Sequence, residues 1–312
     1  MTNDDSEAPG RSCPLRYRYG ASAIARSPLI DTETLYVVGG LYGNLQALDT
    51  IENLVSSETG DVRLCFNGDF NWFNVDAPSY QAVMSRVLEY DAVLGNVEAE
   101  LGMDGADAGC GCAYPDVVDS AVVERSNRIH ARLKETASRH PALTTRLESL
   151  PMFARYRVGH CQVGIVHGDA DSLAGWRFSR ADLSSAGADE WLEQVFSEAE
   201  VDVFASSHTC EPVLHQVTRD RGLGVVINNG AAGMPNFQGQ LSGVITRIGV
   251  APFSASSIQG AKMIERTLIK GVEIAAISLP YDHEKWRTHF LSNWPQGSDA
   301  HTSYYARIMG NL

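Results

Sequence analysis

With 312 residues, the chain is long enough for one large domain or two small ones and for a sizeable buried core. Apolar residues make up 44% and charged residues 20%, the ordinary balance of a globular protein. A formal net charge of −13 argues against a general nucleic-acid or anionic-membrane binder, since both need a basic surface.

Residues 1–34 are polar, with Pro9, Pro14 and Pro28 and no sustained periodicity, and are expected to form an N-terminal arm. The start, MTNDDSEAPGRSCP, lacks the apolar core of a secretory signal. Regular structure begins at the apolar run Leu35-Tyr36-Val37-Val38, which reads as a buried strand ended by Gly39-Gly40. Leu45, Leu48, Ile51 and Leu54 then follow at helical spacing. A second strand spans Val62 to Phe66 and runs into Asn67-Gly68-Asp69, with a helix near Tyr80 to Leu88. A third spans Asp91 to Leu94 and stops at Gly95-Asn96. Helices are expected within 115–149, then a hairpin of Phe153–Tyr156 and Gln162–Val166 turning at Val158-Gly159-His160. After a helix over Asp189–Glu200, strands are expected at Val201–Phe204, Val213–Val217, Gly224–Ile227 and Ser242–Ile248.

Strand–helix alternation gives way to strands adjoining strands. That order predicts an α/β (α+β) fold with two sheets packed as a sandwich and helices outside, rather than one doubly wound sheet. The expected core is 35–250, with residues 251–312 as a C-terminal extension carrying helices and a strand at Val272–Ile277. No stretch approaches the roughly 20 apolar residues of a membrane span. Six cysteines at irregular spacings do not make a disulfide framework, so a cytoplasmic location is expected.

Polar residues capable of binding metal recur where predicted strands end: Asp69, Asn96, His167 and His208. Alone, a strand-end His is a hydrogen-bonded loop residue and an Asp after Gly is a turn former. Four in succession, each after a short apolar run, point to one site assembled at a common sheet edge.

In that order the segments Gly40-Leu41-Tyr42-Gly43-Asn44, Gly68-Asp69, Gly95-Asn96-Val97-Glu98, His167-Gly168 and Ser207-His208-Thr209-Cys210 resemble the motifs of the calcineurin-like metallophosphoesterases, especially their small bacterial branch. Asn229-Gly230-Ala231-Ala232-Gly233 resembles the turn that commonly follows. The resemblance spans about residues 35–248 and implies a four-layer αββα metallophosphatase-like fold. It also implies hydrolysis of a small phosphate ester by a metal-activated water, with one or two divalent transition metals per chain. The net negative charge does not oppose such a substrate, because a bound cation reverses the local field. No nucleic-acid or membrane partner is expected.

The resemblance assigns Asp69 as the bridging ligand, with Asn96, His167 and His208 completing one metal half-site. A mixed oxygen/nitrogen set suits Mn²⁺, Fe²⁺ or Zn²⁺ better than Ca²⁺. The other half-site departs from the pattern. Gly40 and Tyr42 stand where Asp and His are expected, and Cys210 replaces the last His, leaving Cys210 as its one ordinary ligand. Val97 replaces the His associated with leaving-group protonation. The same losses open the alternative of a catalytically silent relative that binds a ligand or protein in the old cleft.

Further candidates carry bland alternatives. Tyr42 and Asn44 are candidate substrate contacts, or packing residues. Arg177 is a candidate bidentate phosphate grip, or a surface Arg between core aromatics. Asp169 and Asp171 either orient His167 or form a turn. Cys110 and Cys112, in Gly109-Cys110-Gly111-Cys112, offer thiols for a soft zinc site with Cys210, or simply a tight turn. The oligomeric state is not legible.

Overall fold

The structure is a computed structural model that describes residues 8–102, 108–253 and 260–312. The first seven residues of the expected arm lie outside the described part. In chain order the elements are α1 (Ala21–Ala25), β1 (Leu29–Thr32), β2 (Thr34–Val38), α2 (Leu45–Ser57), β3 (Val62–Asn67), α3 (Ala77–Val87), β4 (Asp91–Val93) and α4 (Asn96–Leu101). Then come α5 (Ser120–Ala137), α6 (Pro141–Glu148), β5 (Phe153–Val158), β6 (Cys161–Val166), α7 (Arg180–Leu183), α8 (Ala188–Ala199), β7 (Val203–Ser206) and β8 (Pro212–Arg219). The rest is β9 (Gly222–Asn229), β10 (Gly243–Gly249), β11 (Lys262–Ile269), β12 (Val272–Leu279), α9 (His283–Asn293) and α10 (Asp299–Ile308).

These strands form two six-stranded sheets, ordered β1-β5-β6-β7-β9-β8 and β11-β12-β10-β2-β3-β4. The expected two-sheet sandwich with outer helices is therefore what the chain adopts. Side-chain alternation explains why the run at 35–38 is wholly apolar. Leu35 and Val37 point into the inter-sheet core, with Cys65, Val93, Val163, Ile165, Val203, Val225 and Ile227. Tyr36 and Val38 point the other way, into the layer under the helices. A strand covered on both faces has no solvent side to mark with polar residues.

The outer layers are built by amphipathic helices. Asn44 caps α2, accepting from the Ala47 N–H at 2.9 Å. That helix buries Leu48, Ile51 and Leu54 against the second sheet, each contributing about 1.5–3 kcal/mol. Helix α8 buries Leu192, Val195 and Phe196 on the first sheet.

Two segments carry more structure than the sequence suggested. Strand β1, within the expected arm, pairs in parallel with β5 at the edge of the first sheet. Residues 262–279 form β11 and β12, and β12 runs antiparallel to β10 over seven residue pairs from Gly243↔Leu279 to Gly249↔Glu273. No described helix is long and apolar enough to cross a membrane.

Candidate metal centre

Parallel pairing sets where the site forms. β2, β3 and β4 run parallel in one sheet, and β6, β7 and β9 run parallel in the other. The loops after β2, β3, β4, β6 and β7 meet at one edge of the sandwich, the usual place for a site in sheets of this kind. Asn67, the last residue of β3 and wholly buried, joins the two sheets there. Its carbonyl accepts from His167 Nδ1 at 2.8 Å and from the Ser207 hydroxyl at 3.2 Å. Its side-chain amide donates to the Val166 carbonyl at 3.2 Å. Gly68 is needed beside it, because a Cβ there would lie 2.4 Å from His167 Nδ1.

All four strand-end residues come together. His167 Nε2 lies 3.0 Å from Asn96 Oδ1, 3.1 Å from His208 Nδ1 and 3.4 Å from Asp69 Oδ1. Counting protons shows what such a cluster lacks. His167 donates from Nδ1 to the Asn67 carbonyl, so its Nε2 carries a lone pair. His208 donates from Nε2 to the Cys112 carbonyl at 3.0 Å, so its Nδ1 carries a lone pair too. Asn96 donates its amide to the Cys110 carbonyl at 2.8 Å, which turns Oδ1 toward His167. The reverse orientation of that amide would set two oxygens against each other at Cys110. Asp69 Oδ1 is buried without a hydrogen-bond partner.

Three lone pairs and an oxygen of the Asp69 carboxyl thus face one another, and neither ring nor amide supplies a proton between them. Extra protons are disfavoured on the rings. Burial lowers the His167 pKa to about 4, and burial together with His167 lowers that of His208 well below its ordinary value. Burial raises the pKa of Asp69 to about 7, the direction that a bound cation would reverse. Atoms bound to one transition-metal cation at about 2.1 Å stand roughly 3.0–3.4 Å apart, as these do around His167 Nε2. Among the described residues no three His, Cys, Asp or Glu side chains form a metal-holding group as they stand. Here two imidazoles and one carboxylate need the amide oxygen of Asn96 as the fourth donor, and with it the donor chemistry fits a divalent cation.

Glu98 holds this half in shape, and its role was not evident from sequence. Its buried carboxylate accepts from the backbone N–H groups of Asp69 (2.8 Å), Phe70 (2.8 Å) and Gly95 (3.1 Å), tying the loop after β3 to the start of α4. Burial and the nearby Asp69 push its pKa upward.

The other half-site is filled. Tyr42 folds over Gly40, where a Cβ would lie 2.9 Å from the phenol ring. Its hydroxyl meets Cys210 Sγ at 2.6 Å. Burial raises the pKa values of both phenol and thiol, so the pair is a neutral plug. Tyr42, Asp69 and Cys210 all have positive φ (54°, 58° and 57°). Non-glycine residues held there cost on the order of 1–3 kcal/mol each and cluster at functional sites.

The remaining candidates separate. Tyr42 and Cys210 line the cleft in front of the site, with Asp69, Asn96, Val97 and His208. Asn44 does not, being the buried cap of α2 with its amide on the Gly233 carbonyl. Arg177 also faces elsewhere, with its guanidinium 3.8 Å from the Trp191 ring centroid. Its neighbour Trp176 is the one that enters the cleft. Asp169 caps its own turn, accepting from the N–H groups of Asp171, Ser172 and Arg177, so His167 is oriented by Asn67 instead. Cys110 and Cys112 are joined to each other, so their sulfurs are not free for a zinc site with Cys210. Their carbonyls, which sequence could not flag, orient Asn96 and His208.

No protein-family model matches the sequence, and no curated protein does. Solved structures do match. A metallophosphoesterase from Sphaerobacter thermophilus aligns at 14% identity over 90% of this chain and 100% of that one, with a TM-score of 0.54. A hypothetical protein, PH1004, from Pyrococcus horikoshii OT3 aligns at 12% identity over 89% of this chain and 98% of that one, with a TM-score of 0.56. The chain has the metallophosphoesterase fold.

Proposed function

We propose that the protein is a phosphoesterase that works with one divalent cation held by Asp69, Asn96, His167 and His208. The observation that carries this is the convergence of four buried ligand-type atoms, two imidazole nitrogens and two oxygens, around His167 Nε2. Mn²⁺, Fe²⁺ or Zn²⁺ suits the donor set, and such a cation lowers the pKa of a water and polarises a phosphoryl oxygen. The chain's own contribution is orientation. Asn67 and the Cys112 carbonyl set the ring tautomers, and Glu98 holds the backbone at Asp69. Val97 offers no proton to a leaving group, which favours esters whose leaving group needs little help.

The test is calorimetric titration of metal-free protein with Mn²⁺, together with turnover of a panel of phosphomonoesters and diesters. One cation per chain, with turnover abolished in Asp69→Ala, is the expected result. The neutral Tyr42–Cys210 plug favours a second role, a non-catalytic ligand-binding cleft. Absence of cation-dependent turnover on every ester would remove the catalytic role.

A further inference from the structure

The cleft in front of the four donors encloses about 320 Å³, at the small end for a small-molecule site. Its lining reverses the balance of the acidic chain, with one carboxylate, Asp69, against two arginines, Arg125 of α5 and Arg307 of α10. Neither arginine pairs with a carboxylate among the described residues. Arg307 is held by the carbonyls of Pro235 (2.8 Å from Nε) and Cys210 (3.0 Å from Nη2), and by Asn236 Oδ1 (3.1 Å from Nη2). Nη1 makes no hydrogen bond among the described residues. Because one partner is the Cys210 carbonyl, the guanidinium stands beside the Tyr42–Cys210 plug. Among the described residues Arg125 is anchored by Nε alone, to Ser303 Oγ at 2.7 Å. Ser303 and Arg307 are one helical turn apart, so both guanidiniums approach the same face of α10.

Aromatic side chains form much of the remaining wall. Trp72, Tyr114, Trp176 and Tyr304 all face the cavity. Trp176 is fixed by its indole N–H on the Cys112 carbonyl at 3.0 Å, and its ring meets that of His208 edge-on with centroids 5.0 Å apart. Tyr114 stands beside it at 5.9 Å between centroids.

We infer that the cleft takes a small phosphate ester bearing a planar aromatic ring, with the ring against Trp176 and Tyr114 and the phosphoryl oxygens gripped by Arg307 and Arg125. This deepens the phosphoesterase role proposed above and rests on it. Guanidinium forks match phosphoryl oxygens, and flat rings gain from packing on aromatic walls.

The test measures binding of two unreactive probes, phenylphosphonate and methylphosphonate, to Mn²⁺-loaded protein by calorimetry. Phenylphosphonate is expected to bind about tenfold tighter. Arg307→Gln is expected to weaken both probes by about 10- to 100-fold, with Arg307→Lys recovering part of the loss, and Arg125→Gln to weaken them several-fold. Equal affinity for the two probes overturns the inference, as does unchanged affinity in both arginine-to-glutamine variants. Should Arg307→Gln not fold, the wild-type comparison and Arg125→Gln decide. Turnover is measured separately. Ester hydrolysis with equal probe affinities removes this inference alone. Arginine-dependent, ring-selective binding without turnover of any ester removes the catalytic role and leaves the aromatic-anion site.

Discussion

The two halves of the cleft differ in what fills them. One half holds Asp69, Asn96, His167 and His208, whose donors face inward and have nothing of opposite character to meet. The other holds Tyr42 and Cys210, which satisfy each other at 2.6 Å. Both halves border the same cleft, so the difference is not simply one of access to water. A buried polar group must be paired. The second half satisfies its own polar groups, whereas in the first Asp69 Oδ1 has no hydrogen-bond partner among the described residues, which is where the proposed cation would act.

The sharpest way to break this comparison is to remove a donor from the first half. Asp69→Ala is expected to lower cation affinity by at least about 100-fold and to abolish turnover, read by calorimetry and ester hydrolysis. Retained binding would show that the four donors do not act together. Next in size is the brace beneath them. Glu98→Gln loses part of a carboxylate's three backbone hydrogen bonds, and stability is expected to fall by roughly 2–4 kcal/mol, measured by urea unfolding.

A pH experiment sharpens the same contrast. His130 is buried, contacts the Val97 carbonyl at 3.0 Å beneath the first half, and has its pKa lowered by burial to about 4. Its unfolded value is about 6.5, so the folded state binds fewer protons between these limits. The stability it contributes is full above pH 6.5 and is lost as pH falls toward 4, by roughly 2–3 kcal/mol. His167 adds to this slope in cation-free protein. Denaturant midpoints from pH 7 to 4 check it, and His130→Gln should flatten the curve. The smallest effect belongs to the plugged half. Tyr42→Phe removes one hydrogen bond and is expected to cost about 1 kcal/mol or less, leaving cation stoichiometry unchanged.

Much of the fold was legible because buried strands in this sandwich are apolar on both faces and end at glycines, as at Val38-Gly39 and Val93-Leu94-Gly95. Two of the four edge strands were not. β11 exposes Lys262, Glu265 and Arg266 along its length, and β1 is largely exposed, so neither shows the apolar run that marks a core strand. At the site, the four donors were legible because each is a side chain of diagnostic chemistry at a strand end. What orients them was not, because the carbonyls of Asn67, Cys110 and Cys112 are groups every residue carries. Arg177 illustrates another limit. The segment 175–178 does reach the cleft, but the residue that enters it is Trp176. Arg125 and Arg307 come from helices remote in sequence, and no motif links them to the donors.

The plug has a bearing on the order in which mutations can be accepted. An aspartate at position 40 would strike the Tyr42 ring and would also take up a backbone φ of 62°, which side-chain-bearing residues rarely adopt. Removing Tyr42 first would leave the Cys210 thiol with only the His208 carbonyl at 3.4 Å among the described residues, and open a gap beside Gly40. Gly40, Tyr42 and Cys210 therefore behave as one linked character. An acidic side chain at position 40 requires the Tyr42 ring to move as well, so these positions must change together.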